Sequence, residues 1–117
     1  MLRERLASFG HACAGLATLV REQANARIHL AATLVVVGVG LWLDLRSGEW
    51  LAVIICVALV WSAEAMNTAL EYLCDLVHPD QHPLIRKAKD VAAGGVLACA
   101  LAALLVALVI LRQHGYP

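Results

Sequence analysis

The sequence predicts an all-α membrane protein with an N-terminal interfacial amphipathic helix and three transmembrane helices. Hydrophobic residues make up 62% of the 117 residues and charged residues only 15%, and the mean hydropathy is +0.76. A water-soluble domain of this size could not bury so much apolar side chain. The length allows a single domain, residues 1–117. The net charge of zero gives no reason to expect a nucleic-acid partner.

Residues 1–26 are expected to form the interfacial helix. Apolar side chains recur in this segment at helical spacing, while arginine and glutamate residues keep its ends polar. The apolar positions are Leu6, Phe9, Cys13, Leu16, Leu19 and Val20. The segment is too mixed in polarity to span a bilayer, so we expect it to lie in the membrane interface.

Three apolar segments are the expected transmembrane helices: residues 28–43, 50–74 and 91–111. The first is short for a bilayer core, which takes about 20 residues. A tight polar turn with Ser47 and Gly48 at its centre is expected to join the first two spans. A longer loop containing Pro79 and Pro83 is expected to interrupt the helix between the last two.

The lysine and arginine residues predict the orientation of the chain. Of the nine, the N-terminal segment and the second loop hold Arg3, Arg5, Arg21, Arg27, Arg86, Lys87 and Lys89. The opposite side holds only Arg46 and Arg112. Because cytoplasmic segments carry the excess of basic residues, the N-terminus and the second loop are expected on the cytoplasmic face of a multi-pass membrane protein.

The second span carries a polar face. Glu64, Asn67, Glu71 and Asp75 follow one another at i, i+3, i+7 and i+11, so they share one side of a helix. Glu64 lies about 21 Å along the helix from Trp50, which places it inside a hydrocarbon core of about 30 Å. A carboxylate at mid-membrane costs at least about 2.5 kcal/mol, and less toward the membrane surface. Four such groups in register favour a function over simple adhesion between helices.

A similar spacing occurs at the cytoplasmic entry of the first span, in Glu22, Asn25 and His29. Carboxylates brought together there would repel each other unless a cation joined them, and hard oxygen ligands suit Mg²⁺, which usually brings substrate phosphates with it. Nearby basic residues could hold phosphate, and the deep carboxylate could act as a base. The combination indicates phosphoryl transfer to a lipid hydroxyl at the interface. His29, His78 and His82 are expected to form interfacial hydrogen bonds, because no second histidine stands at i+4 on a predicted helix.

Three segments resemble a known family: "EAMNTALEYLCD", "HPLIRKAKDVAAGGVL" and, upstream, "NARIH". They are similar to the small prokaryotic membrane lipid kinases, the diacylglycerol kinase and undecaprenol kinase family. The resemblance implies a homotrimer in the bacterial cell membrane that uses ATP and Mg²⁺. It also implies active sites at protomer boundaries, near the cytoplasmic surface.

The resemblance further implies roles for individual residues. Glu64 would be the catalytic base that takes the proton of the lipid hydroxyl, and Asn67 would help hold that region together. Glu71 would ligate the metal that bridges the ATP phosphates, and Lys89 would contact those phosphates with Asp90 beside it. The remaining expected nucleotide-binding positions are His11, Gln23, Asp80, Gln81 and His82.

One position departs from the family pattern. If "NARIH" sets the register, the second metal carboxylate of the family falls on Gln23 and not on Glu22. Either Glu22 reaches the metal from one residue away, or the metal relies on Glu71, phosphates and water. The second alternative is favoured, because a shift of one residue turns a helical side chain by about 100°.

The predicted function is therefore an ATP-dependent lipid kinase, with undecaprenol as the preferred acceptor and diacylglycerol as a close second. Two other classes remain open at this stage. A small proton-coupled transporter would use Glu64 to load and release protons. A non-catalytic assembly subunit would use the polar face only to join helices.

Overall fold

The computed structural model describes residues 1–117 and consists of four α-helices with no strand. The helices are α1 (Leu2–Glu22), α2 (Ala24–Leu43), α3 (Ser47–Val77) and α4 (Pro83–Gln113). The last three are long and apolar enough to cross a membrane. This confirms the all-α class and the predicted number of spans.

The junction of α1 and α2 is a single extended residue, Gln23, with φ −107° and ψ 119°. From the first turn of α2, Arg27 reaches back and its Nη1 donates to the carbonyl oxygens of Arg21 at 2.8 Å and Val20 at 3.3 Å. Carbonyls in the last turn of a helix lack intrahelical partners, and a cation there complements the helix dipole. The first helix therefore ends at Glu22, before the expected position 26.

The turn between α2 and α3 differs from the prediction. Ser47 already belongs to α3, so the chain reverses before the expected Ser47-Gly48 centre. Asp44 supplies the reversal with φ 54°, a left-handed conformation that aspartate tolerates better than most side chains. The backbone N–H of Arg46 then donates to Glu49 Oε2 at 2.8 Å, which closes the first turn of α3.

Gly40 lets α2 and α3 approach each other beside this turn. A Cβ atom at this position would lie 2.8 Å from Cη2 of Trp50 and 3.1 Å from Cδ1 of Leu45. Neither distance leaves room for a methyl group without movement of the neighbour. The Trp50 indole can therefore pack against α2 because Gly40 has no side chain.

The loop between α3 and α4 is shorter than the sequence suggested. Pro83 occupies the start of α4, where its missing N–H is not needed. The ring Nδ1 of His82 accepts the backbone N–H of Leu84 at 3.1 Å and caps the helix. The helix thus begins eight residues before the expected Val91, and this places Lys89 on a helix and not in a loop.

Polar pairs at both ends join α3 to α4. At the loop end, Lys89 Nζ donates to Asp75 Oδ1 at 2.7 Å. At the far end, His114 Nε2 lies 3.1 Å from Glu49 Oε2. Because the two pairs are at opposite ends of an antiparallel hairpin, together they fix its register.

The distribution of side chains is that of a membrane protein. Many large apolar residues are exposed, including Leu34, Leu41 and Leu105, whereas buried residues are few. Among the buried residues are four polar side chains of α3: Glu49, Glu64, Asn67 and Thr68. An apolar surface around a small polar interior suits a lipid environment.

We expect the substitution Gly40→Ala to destabilise the fold by about 1–3 kcal/mol, because the added methyl group must displace the Trp50 indole. Chemical unfolding in detergent micelles measures the change. Gly38→Ala is the matched control in the same helix, since a Cβ atom there meets nothing within 4 Å. Equal stability of the two variants would show that the close approach at Gly40 does not contribute to the free energy of unfolding.

Candidate active site

Glu64 is the most deeply buried large side chain of the molecule, with 1% of its surface exposed. Its Oε2 atom is buried and has no hydrogen-bond partner. His29 Nε2 on α2 lies 3.6 Å from this oxygen, slightly too far for a hydrogen bond. A buried polar atom without a partner costs about 1–3 kcal/mol, and more when it is charged. This cost in an apolar helix favours a chemical role for the Glu64 carboxylate over a purely structural one.

The next turn of α3 continues the polar surface. Asn67 Oδ1 and Thr68 Oγ1 are also buried without hydrogen-bond partners. The amide of Asn67 donates to Glu71 Oε1 at 3.5 Å, which links this turn to the following one. With Glu64, three unpartnered oxygens thus lie on adjacent turns of one face. Unsatisfied buried groups call for a specific explanation, and a polar ligand or substrate group would supply the missing partners.

The pairing of α2 with α3 places His29 opposite Glu64. Trp61 Nε1 donates to Thr33 Oγ1 at 3.0 Å, and the Thr33 hydroxyl donates to the carbonyl oxygen of His29 at 2.7 Å. Trp61 precedes Glu64 by three residues and Thr33 follows His29 by four. The two contacts between the helices are therefore neighbours in an antiparallel arrangement. The sequence showed the face of His29 on its own helix, but not which residue it would meet.

The contact of α1 with α3 involves Glu22. The hydroxyl of Tyr72 donates to Glu22 Oε2, and Tyr72 directly follows Glu71 in α3. The last residue of α1 is thereby held against the helix that carries Glu71. Nothing in the sequence singled out Tyr72, because its role depends on tertiary packing. No three acidic, histidine or cysteine side chains come together as a ready metal centre, so a cation here would need further ligands.

A cleft of about 540 Å³ lies around the loop between α3 and α4. Its walls are formed by His78, Pro79, Asp80, Gln81, His82, Pro83, Ile85, Arg86 and Lys89. Of the predicted nucleotide-binding residues, it brings together Asp80, Gln81, His82 and Lys89. One arginine, Arg86, and one lysine, Lys89, in its wall make it suited to a phosphate-bearing ligand.

Four predicted cofactor-binding residues are not among those that line this cleft, and one of them is Glu71 of α3. His11 is exposed on α1, and Gln23 stands at the junction of α1 and α2. Asp90 is exposed beside the cleft, and its Oδ2 lies 3.7 Å from Nε of Arg86. The structure of the single chain therefore assembles the loop and α4 part of the predicted set, but not the part from α1.

A second, apolar cavity of about 260 Å³ lies between α2, α3 and α4. Most of its wall consists of alanine, valine and leucine side chains, such as Val57, Ala103 and Leu104. His29 and Thr33 are its two polar wall residues. Because His29 also faces Glu64, the cavity adjoins the buried carboxylate through this one side chain.

A family of known proteins matches most of the chain. The family described as prokaryotic diacylglycerol kinase matches residues 10–111. Among individual proteins, the chain is similar to the undecaprenol kinase of Bacillus subtilis, with 35% identity over 103 residues. That match covers 88% of this chain and 84% of the relative.

Two diacylglycerol kinases are also similar. The protein from Synechocystis is 38% identical over 102 residues, which cover 86% of this chain and 58% of the relative. The protein from Escherichia coli K12 is 29% identical over 105 residues, which cover 90% of this chain and 86% of the relative. The matched region in all three cases takes in most of the four helices.

Proposed function

The chain belongs to the prokaryotic diacylglycerol kinase family, and on that premise we propose that it transfers the γ-phosphate of ATP to the hydroxyl of a membrane lipid alcohol. The similar proteins are named as kinases of undecaprenol or diacylglycerol, which are phosphotransferases with alcohol acceptors. This family assignment favours an enzyme over the transporter and the assembly subunit.

The buried, unpartnered carboxylate of Glu64 carries the proposal. In phosphoryl transfer the acceptor oxygen bonds to the γ-phosphorus while the bond from that phosphorus to the β-phosphate oxygen breaks and ADP leaves; the hydroxyl gives its proton to a positioned base. A lipid hydroxyl arrives within the membrane, so its base must be at the same depth. Glu64 is in a candidate membrane span and is shielded from bulk water. We assign it as the catalytic base, with Asn67 supporting the same face.

The nucleotide end of the site would lie at the cytoplasmic tip of α3 and α4. Each of these helices has 31 residues and so is about 46 Å long, whereas the hydrocarbon core is about 30 Å thick. The excess length projects the polar cleft toward water, where ATP is available. Lys89 has three N–H donors, so it can contact a phosphate while it still donates to Asp75.

The other nucleotide contacts in the proposal come from the loop and α1. The cleft residues are Asp80, Gln81 and His82, with Asp90 beside them. His11 and Gln23 would complete the nucleotide site from α1 and its junction with α2. In a homotrimer with active sites at protomer boundaries, these α1 residues could come from a neighbouring copy.

Glu71 is the proposed magnesium ligand, with Glu22 as a second candidate. Mg²⁺ is usually bound through one or two carboxylates together with substrate phosphates and water. The carboxylates at the α1–α3 contact fit this pattern, because they are too few to form a complete protein cage. When bound, Mg²⁺ would neutralise charge on the transferring phosphate. Asn67 would orient Glu71 through the amide hydrogen bond to Oε1.

The proposed acceptor is undecaprenol, followed by diacylglycerol. The segments "NARIH" and "HPDQHPL" resemble undecaprenol-type members more than the enterobacterial diacylglycerol kinases. The cavity beside His29 is apolar except at His29 and Thr33. It therefore suits the apolar chain of either lipid acceptor.

The membrane arrangement is part of the proposal. α1 exposes Leu6 and Phe9, which suits a helix lying in the cytoplasmic interface. The excess of basic residues in the N-terminal segment supports an N-terminus on that same side. Light scattering of the detergent-solubilised protein gives the number of 12.5 kDa copies in each particle and so tests the homotrimer.

The function is tested with purified protein, Mg²⁺ and γ-labelled ATP in micelles that contain both undecaprenol and diacylglycerol. We expect label to appear in lipid phosphate, on undecaprenol first. Proton flux without ATP turnover would favour the transporter. The absence of both activities in intact oligomers would favour the assembly subunit.

We expect Glu64→Gln to lower kcat by at least about 100-fold, because an amide cannot accept the hydroxyl proton. The KM for ATP should change little, since Glu64 is not among the residues proposed to bind the nucleotide. Glu49→Gln is the control: it alters another buried glutamate of α3, at the opposite end of the helix. Equal losses of kcat in the two variants would rule out Glu64 as the catalytic base.

We expect Glu71→Gln to raise the Mg²⁺ concentration needed for half-maximal activity by about 10- to 100-fold, because a neutral amide is a weaker ligand than a carboxylate. A titration of initial rate against Mg²⁺ at saturating ATP measures the shift. Glu4→Gln, on the exposed start of α1, should leave the titration unchanged. An unshifted curve for Glu71→Gln would exclude it as a metal ligand.

A further inference from the structure

We propose that His29 is a positioning residue for Glu64: it donates from Nε2 to Oε2 and holds the carboxylate for the acceptor hydroxyl. This role rests on the kinase activity proposed above and adds a residue from α2 to its active site. The two side chains are 17% and 1% exposed, and the two atoms are 3.6 Å apart. A shift of a few tenths of an ångström would make this contact a hydrogen bond.

The atoms involved are otherwise free for this contact. Oε2 of Glu64 is buried without a hydrogen-bond partner. A neutral imidazole with its proton on Nε2 is a donor at that atom. Catalytic hydrogen bonds are often long before substrate binds and shorten in the substrate complex. With one carboxylate oxygen held by His29, the other is directed to the acceptor.

The surroundings hold His29 in place. The Thr33 hydroxyl donates to the His29 carbonyl oxygen and receives the indole N–H of Trp61. This chain ties the backbone of His29 to α3 one turn from Glu64. A side chain on so anchored a backbone can set the orientation of its neighbour.

The apolar cavity between α2, α3 and α4 gives an independent reason to assign the positioning role to His29. Its wall is apolar except at His29 and Thr33. The Thr33 hydroxyl is already engaged with Trp61 and with the His29 carbonyl. A lipid whose chain occupied this cavity would therefore present its hydroxyl to the imidazole edge, next to Glu64.

A second histidine–glutamate pair in the same protein shows what simple adhesion between helices looks like. At the far end of α3, His114 lies 3.1 Å from Glu49, which also accepts the backbone N–H of Arg46. That carboxylate is fully engaged, and the pair joins α3 to α4. Glu64, in contrast, keeps an oxygen without a partner. The contrast favours a positioning role for His29, and His114 provides a matched control.

Two substitutions of His29 test the role. We expect His29→Leu to lower kcat about 100-fold, the effect of a misplaced reacting group, while the KM for ATP stays within about twofold. His29→Gln retains an N–H donor and should recover at least about tenfold of the lost kcat. His114→Leu should reduce the stability of the fold but leave kcat near that of the unsubstituted protein.

Nitrogen-15 NMR of histidine-labelled protein in micelles gives a readout that does not depend on activity. Glu64→Gln should shift the His29 Nε2 signal and leave the His114 signal unchanged. Equal impairment of kcat by His29→Leu and His29→Gln, or an unshifted His29 signal, would overturn the positioning role while the kinase stands. If the unsubstituted protein phosphorylates neither lipid, the kinase proposal fails and the role of His29 fails with it.

Discussion

The constraint on which the rest of the structure depends is a carboxylate held inside an apolar helix without a full set of hydrogen bonds. Glu64 lies in a candidate membrane span, and its buried Oε2 has no hydrogen-bond partner, which costs about 1–3 kcal/mol or more when the group is charged. The neighbouring helices offset this cost with polar contacts made elsewhere along α3. Glu49 and Asp75 join its two ends to α4, and Trp61 joins its middle to α2. Because α3 is fixed in rotation and in register, Glu64 cannot relieve its burial by turning toward water.

The length of α3 also matters for the proposed activity, because one helix can extend from the membrane interior into water. α3 has 31 residues, which exceeds what the hydrocarbon core requires by about 16 Å. Glu64 is buried, whereas Asp75 is exposed near the loop. In the proposed activity, side chains of this one continuous helix would therefore contact both the acceptor in the lipid and the donor in water.

The sequence predicted the parts of this arrangement that depend on one helix at a time. Composition and apolar periodicity gave the three spans, and the spacing of Glu64 and Asn67 gave the polar face. Helix ends were less accurate: Gln23 interrupts a pattern that reads as continuous, and Pro83 starts a helix where a loop was expected. The spacing of residues within a helix could not predict the contacts between helices. The meeting of His29 with Glu64 depends on the relative rotation of two helices, which no spacing within either helix determines.

The same distinction bears on the departure at Gln23. The preference against Glu22 as a replacement for the missing carboxylate assumed a continuous helix, in which one residue turns the side chain by about 100°. The chain is not continuous there, because Gln23 is extended and separates α1 from α2. Side chains before the break follow the direction of α1, and Glu22 consequently meets Tyr72 of α3. The geometric argument against Glu22 therefore no longer applies, and the assignment of Glu22 as a second metal ligand beside Glu71 stays a proposal.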